Sequence, residues 1–261
     1  MFSNETRCYY RKNMLGEVIC QLRFPQILNI ETTVPDQFQE AIRDVFPRYS
    51  CRKETPAPKL VGTQGNMHFE PQKPNNNYQF VSADGVWRVN LTSTFISLAC
   101  NRYTCWEDFA KMLDLPLAAF IKIYRPAYFE RVGLRYLNFI SRQRLQLNDT
   151  PFRDLFTAPY LGLLADEQLA EASASRSTVD GEFAIRGGCR AKIHAGPGLV
   201  KRNGVDDKEI HFIFDQDLFM SGNIAVNLSA GALETLHSQA YSIFRGAITD
   251  TLHEAMDPQI L

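Results

Sequence analysis

An α+β fold, in which an antiparallel sheet carries long helices on one face, is what this sequence predicts. Three observations lead there. Segments with strand alternation open at Glu17 and again at Glu130, long segments with helical spacing follow near Trp106 and Ser229, and glycine-punctuated strand-like stretches lie between. The order strand, helix, antiparallel strands, long helix occurs twice. It predicts two related β-α-β-β-α halves, residues 1–126 and 127–261, joined about a pseudo-twofold axis into a single domain spanning 1–261.

The first half can be read element by element. In Glu17–Phe24, Val18, Cys20, Leu22 and Phe24 alternate with more polar neighbours at the strand period, and Pro25 ends the run. Pro35 suits a first helical position, and Phe38, Ile42, Val45 and Phe46 then share one helical face. Residues Ser50 to Asn77 are rich in proline, glycine and asparagine and read as an extended connection or flap. Asp84-Gly85 predicts a hairpin between Tyr78–Ser82 and a second strand over Val86–Cys100. Thr104 and Glu107 form a capping-box pattern ahead of a long helix carrying Trp106, Phe109, Leu113, Leu117, Phe120 and Tyr124 on its inner face. Pro116 is expected to kink or split that helix, and Pro126 to end it.

In the second half, Val132, Leu134 and Tyr136 alternate as strand positions, and Asp149-Thr-Pro-Phe152 reads as a helix start. Ser173 to Met220 forms a meander with turns at Gly187-Gly188, Gly196-Pro197-Gly198 and Asn203-Gly204. Ser229 is expected to cap a last helix running through Leu233, Leu236, Ala240, Phe244, Ile248, Leu252 and Ala255 to Pro258.

Composition narrows the classes. With 45% apolar and 22% charged residues the chain has ordinary globular usage, so neither disorder nor a fibrous repeat is expected. Lys plus Arg (28) almost cancels Asp plus Glu (29), which leaves nucleic-acid binding to a local patch. Met1 to Tyr10 lacks the apolar run of a secretory signal, and no stretch reaches the roughly 20 apolar residues of a membrane span, so a soluble cytoplasmic protein is expected. The six cysteines are scattered, are expected to be reduced, and have no zinc-site spacing even at the closest pair, Cys100 and Cys105.

Four segments carry a resemblance: Glu17–Phe24, the helix from Phe38 to Ile42 ending at Phe46-Pro47, Val132-Gly-Leu-Arg-Tyr-Leu-Asn138, and Leu236-His237 with Phe244 and Ile248. Together they resemble a sporadically distributed, uncharacterised bacterial protein family of about this length, over most of the chain. The resemblance carries over no activity, cofactor or catalytic residue. It implies a gene of the phage-defence or toxin-antitoxin kind, with a protein partner encoded nearby.

Candidate chemistry is sparse. The phosphate-binding, dinucleotide-binding, zinc-protease and serine-hydrolase signatures are absent from the sequence. Asp215 and Asp217, placed after a strand, form a pair able to hold a divalent cation, against the plainer reading of a solvated turn. Cys189 with His194 and His211 forms a candidate nucleophile pair, weighed against an inert buried thiol. Arg186, Arg190, Lys192, Lys201 and Arg202 form a basic hairpin suited to phosphates of a nucleic acid or nucleotide, unless Asp206, Asp207 and Glu209 neutralise it across the strands. His237 and His253 lie sixteen positions apart and read as packing or surface residues. The expectation is a non-enzymatic interaction protein without a cofactor. A nucleic-acid binder ranks second, and a metal-dependent enzyme around Asp215 and His211 third.

Overall fold

The computed structural model describes residues 2–55, 59–63, 66–70, 74–202 and 205–260. In chain order its elements are β1 (Cys8–Tyr10), β2 (Leu15–Arg23), α1 (Leu28–Thr32), α2 (Asp36–Ile42), β3 (Arg48–Glu54), β4 (Lys59–Thr63), β5 (Asn66–Glu70), β6 (Asn75–Val81), β7 (Trp87–Leu91), β8 (Phe95–Cys100) and α3 (Trp106–Tyr124). The second part contains β9 (Phe129–Ile140), α4 (Arg142–Leu145), β10 (Val179–Ala184), β11 (Arg190–Arg202), β12 (Val205–Ile224), α5 (Ser229–Ala247), α6 (Asp250–Ala255) and β13 (Pro258–Ile260). Short 3₁₀ turns fill the stretch between α4 and β10. The fold is α+β, built on a large antiparallel sheet.

Nine strands pair in the order β10-β11-β12-β9-β2-β8-β7-β6-β3, every neighbour antiparallel. The two strands that open the halves, β2 and β9, meet at the centre, and each is flanked by the last strand of its own meander, β8 or β12. Strand alternation sorts the faces. One cross-strand row runs Tyr49, Phe80, Val89, Leu98, Cys20, Leu134, Leu218, Ala191, Phe183. Its seven inner members are fully buried, while Tyr49 and Phe183 at the two edges are 46% exposed. Helices α3 and α5 cover this face, as the Phe24–Phe120 and Phe214–Phe244 ring contacts show. The neighbouring row, which includes Arg88, Arg135, Asp217, Lys192 and Glu182, points the other way and stays partly exposed.

Several elements differ from the sequence expectations, each for a physical reason. The presumed flap from Ser50 to Asn77 contains strands: β3 pairs with β6 from Arg48–Val81 to Glu54–Asn75, and β4 pairs with β5. All seven residues of β3 are exposed, so this edge strand has no apolar alternation to announce it, and polar contacts such as Asn77 Nδ2 donating to Glu54 Oε1 (2.8 Å) help fix it. Residues 56–58, 64–65 and 71–73 of that segment, and the Asn203-Gly204 turn, lie outside the described residues. Val86–Cys100 is two strands, because the Thr92 hydroxyl accepts from the backbone N–H of Thr94 and Phe95 and folds a turn between β7 and β8.

Helix α3 runs unbroken through Pro116 as nineteen residues, and its first turn uses Thr104 differently from a capping box, with the hydroxyl donating to Asp108. Phe152–Asp154 is a 3₁₀ turn rather than a helix start, and Gly196 to Gly198 lies inside β11, where Pro197 sits opposite Phe212. The last helix stops at Ala247, since Ile248 bridges to Phe156 and the Thr249 hydroxyl accepts from Leu252 N–H to begin α6.

Phe212 and Phe156 stack with ring centres 3.8 Å apart under the second half of the sheet. Phe212→Ala should therefore cost about 3–5 kcal/mol in denaturant unfolding, the range for a buried ring whose cavity cannot collapse. A loss below about 1 kcal/mol would contradict this packing.

Candidate functional site

The structure disperses the five cations of the basic hairpin. Arg186 sits in a 3₁₀ turn after β10 and lines a groove with Phe2, Glu5 and Glu234 on the helix side. Arg190 and Lys192 project from the other sheet face, where both pair with Glu182 of β10, at 2.9 and 3.3 Å. Glu182 thus neutralises Arg190 and Lys192, while the Asp206 side chain lies outside the described residues. Lys201 lies nine residues beyond Lys192, roughly 30 Å along the strand. The Arg202 side chain lies outside the described residues.

Asp215 and Asp217 sit in the middle of β12, in the interior of the sheet, rather than after a strand. Each is held by an arginine of β9. Arg135 donates through Nε to Asp215 (2.7 Å) and also through Nη2, and Arg131 Nη2 donates to both oxygens of Asp217 (2.7 and 2.8 Å). The Arg131 guanidinium lies over the Phe219 ring at 4.5 Å and crosses Gly133, where a Cβ would meet it at 2.2 Å. A side chain there would have to move the Arg131 guanidinium off its place over the strand. With charge-assisted pairs of this kind on both carboxylates, a cation would have to displace two guanidinium groups.

Asp207, Glu209 and His211 do converge, with ligand atoms within 4.8 Å of one another. Glu209, however, is already engaged: Ser141 Oγ donates to it (2.7 Å), and so does the Gln143 backbone N–H (3.0 Å), which anchors the start of α4. His211 is fully buried with Nε2 3.1 Å from Asp207 and Nδ1 without a partner among the described residues. A zinc-bound imidazole normally passes the hydrogen on its other ring nitrogen to an acceptor. The trio reads better as a helix anchor than as a metal centre. Cys189 is buried next to the Gly187 carbonyl (3.7 Å), burial pushes its thiol pKa up, and His194 pairs instead with Asp180 (2.6 Å). His211 aligns with Gly198 on β11, nine residues from Cys189, so the proposed nucleophile pair is not assembled.

A different set of residues forms the best-defined cavity, about 90 Å³, between the helix face of the sheet and the chain's first residues. Tyr136 and Asn138 come from alternate positions of β9, and Gln216 lies directly opposite Tyr136 on β12. His237 enters from α5, and Tyr103 and Trp106 from the start of α3. The last wall is the segment from Ser3 to Tyr10, which follows one side of α5. Ser3 exchanges two hydrogen bonds with Ser242, Glu5 pairs with buried Arg245 (2.7 Å), and Tyr241 donates to the Thr6 carbonyl (3.0 Å). Strand β1 then pairs with β13.

Polar groups in this cavity are ordered by Arg7. Its Nη1 lies 2.7 Å from His237 Nε2, and its Nη2 is bound by Glu107. A guanidinium can only donate, so Nε2 accepts and the ring is neutral with its hydrogen on Nδ1. Nδ1 then donates to the Tyr136 oxygen at 2.8 Å. The Trp106 ring stacks on His237 at 4.7 Å and 9°, and its indole N–H donates to Glu234 at 2.5 Å. Burial raises the Tyr136 pKa well above that of an ordinary phenol, and Arg7 holds Glu107 below the usual carboxylate range. Gln216 is only 3% exposed, and its Oε1 has no hydrogen-bond partner among the described residues.

Sequence reasoning passed over these residues. Tyr136 and Asn138 were visible as strand positions, but Arg7, Tyr103, Gln216 and His237 are scattered through the chain with no shared spacing. The one available signal was Gln216, a glutamine at an inward position of a strand otherwise lined by Phe212, Phe214 and Leu218.

Burial and the neighbouring Arg7 push the His237 pKa from 6.5 down to about 4. Between those values the unfolded chain takes up a proton that the folded chain refuses, so stability falls as pH drops from 6.5 toward 4. The size is about 3 kcal/mol for a group buried this deeply. Urea unfolding across that window should show His237→Gln losing less stability than the parent by about this amount. Parallel curves would place the ring in water.

No protein-family model matches the chain, and no curated protein is similar to it.

Proposed function

We propose that this chain is a binding protein and that its ligand occupies the cavity walled by the N-terminal segment. The convergence of Arg7, His237, Tyr136 and the buried amide of Gln216 on one cavity carries the reading. An amide oxygen buried without a partner costs about 1–3 kcal/mol, a cost that a folded protein normally offsets by giving the group something to bind. The surroundings fit the same role, with apolar and aromatic walls and a few fixed polar groups, as in most small-ligand pockets.

We also infer that the two halves are copies of one β-α-β-β-α unit about a pseudo-twofold axis running between β2 and β9. The support is topological: in each half the opening strand is central, the meander's last strand lies beside it, and a nineteen-residue helix follows the meander. On that arrangement the cavity lies where β9, β12 and α5 of the second copy meet the start of α3 from the first, closed by the segment that precedes β2.

The test is to record native mass spectra of protein purified gently from its host, then repeat binding with Gln216→Leu, which keeps the volume and removes the amide. The parent should carry or take up a small molecule, and the variant should bind it about tenfold to a hundredfold more weakly, the worth of one or two buried hydrogen bonds. Its unfolding free energy should be unchanged or higher. Equal binding by both proteins would remove the cavity from the function.

A further inference from the structure

We propose that the free edge of β3 docks an extended, acidic segment of a partner protein, which joins the nine-stranded sheet as a further antiparallel strand. β3 is the last strand in the order and pairs with β6 on one side. Beyond that ladder, no backbone group of Arg48–Glu54 is hydrogen-bonded to another described residue. The pairing runs through all seven residues without a register shift, and no proline interrupts it. Side chains alternate along the strand: Tyr49, Cys51 and Lys53 lie on the helix face, and Arg48, Ser50, Arg52 and Glu54 on the open face. A regular edge of this length, exposed throughout, is a row of N–H and C=O groups ready to pair with another chain.

Charge says which chain. Arg48, Arg52 and Lys53 are exposed, and none has a carboxylate partner among the described residues. The Glu54 carboxylate accepts from Asn77 instead. Near the opposite edge of the sheet the cations are already used, since Arg190 and Lys192 pair with Glu182, and His194 with Asp180. Cations on an edge strand deter a second cationic strand and, by the same force, favour an anionic one. Another copy of β3 would bring three cations of its own. A nucleic acid would satisfy the charge but not the edge, because its phosphates only accept hydrogen bonds, whereas a peptide strand meets both the N–H and the C=O groups.

Tyr49 adds an apolar contact. Its ring packs on Phe80 with centres 5.5 Å apart and remains 46% exposed. An apolar residue of the added strand, placed opposite Tyr49, covers that surface, while acidic residues opposite Arg48 and Arg52 lie on the other face.

The probe is a fluorescein-labelled peptide, Thr-Glu-Glu-Val-Thr-Val-Glu, whose antiparallel register sets Glu against Arg48, Arg52 and Lys53, and Val against Tyr49 and Cys51. Titrated into the full chain at low salt, it should bind saturably and protect backbone amides between Tyr49 and Lys53 from exchange. A peptide with Lys in place of Glu should bind at least about tenfold more weakly, as should the acidic peptide to the double variant Arg48→Glu, Arg52→Glu. Both substitutions are at exposed positions, so the variant should melt with the parent. Two further peptides carry N-methyl groups on alternate amides, in one phase or the other. One should lose binding and its counterpart keep it, because only every second amide faces β3.

The two N-methylated peptides behaving alike would overturn strand addition, and equal binding by the acidic and basic peptides would overturn the acidic class. Three other results would each overturn the proposal: no saturable binding at millimolar peptide, displacement of the peptide by an equal concentration of single-stranded oligonucleotide, or β3 amides already protected by dimerisation of the protein alone. None of these outcomes touches the cavity, so either reading can fail without the other.

Discussion

Antiparallel pairing of β2 with β9 joins the two parts of the chain into one sheet, and nearly every other feature inherits its position from that pairing. The register that sets Cys20 against Leu134 places one apolar row under α3 and α5 across all nine strands. Because strand side chains alternate, a slip of one residue would send Leu134, Tyr136 and Asn138 to the far face and bring Arg131 and Arg135 into the core. The same register therefore decides that β9 supplies Tyr136 to the cavity on one side and two arginines to Asp215 and Asp217 on the other.

The parts of the fold that could be read in advance are those where burial is one-sided and local. Val18, Cys20 and Leu22 in β2, and Trp106, Phe109, Leu113 and Phe120 in α3, repeat at their own element's period because each element buries one face. β3 could not be read, since an exposed edge strand held by its ladder needs no pattern at all. Pro116 misled for a related reason: it lies at a buried position of a helix whose tertiary packing outweighs the local penalty. The break at Ile248 was hidden because Phe244, Ile248 and Leu252 keep helical spacing through a point where the backbone leaves the helix to bridge to Phe156.

Charge was the least transferable signal. Arg190 and Lys192 in β11 and Asp215 and Asp217 in β12 look like sites when only their own strand is in view, but their partners are on β10 and β9, between 8 and 86 residues away in the chain. Once those cross-strand partners are in place, the open sheet face is a mosaic of neutralised pairs. The cavity shows the converse: its groups are individually ordinary, and what sets them apart is the directional order imposed by one arginine.

That arginine belongs to a segment tied to α5 by contacts spanning 230 to 240 residues of sequence. The Ser3–Tyr10 wall leads into β1, which pairs with β13 in a two-stranded sheet separate from the nine-stranded one, so this wall is a natural unit of local unfolding. The cavity is then complete only while β1 and β13 stay paired, so amide exchange at Cys8 to Tyr10 and the opening of the cavity are one event read from two sides.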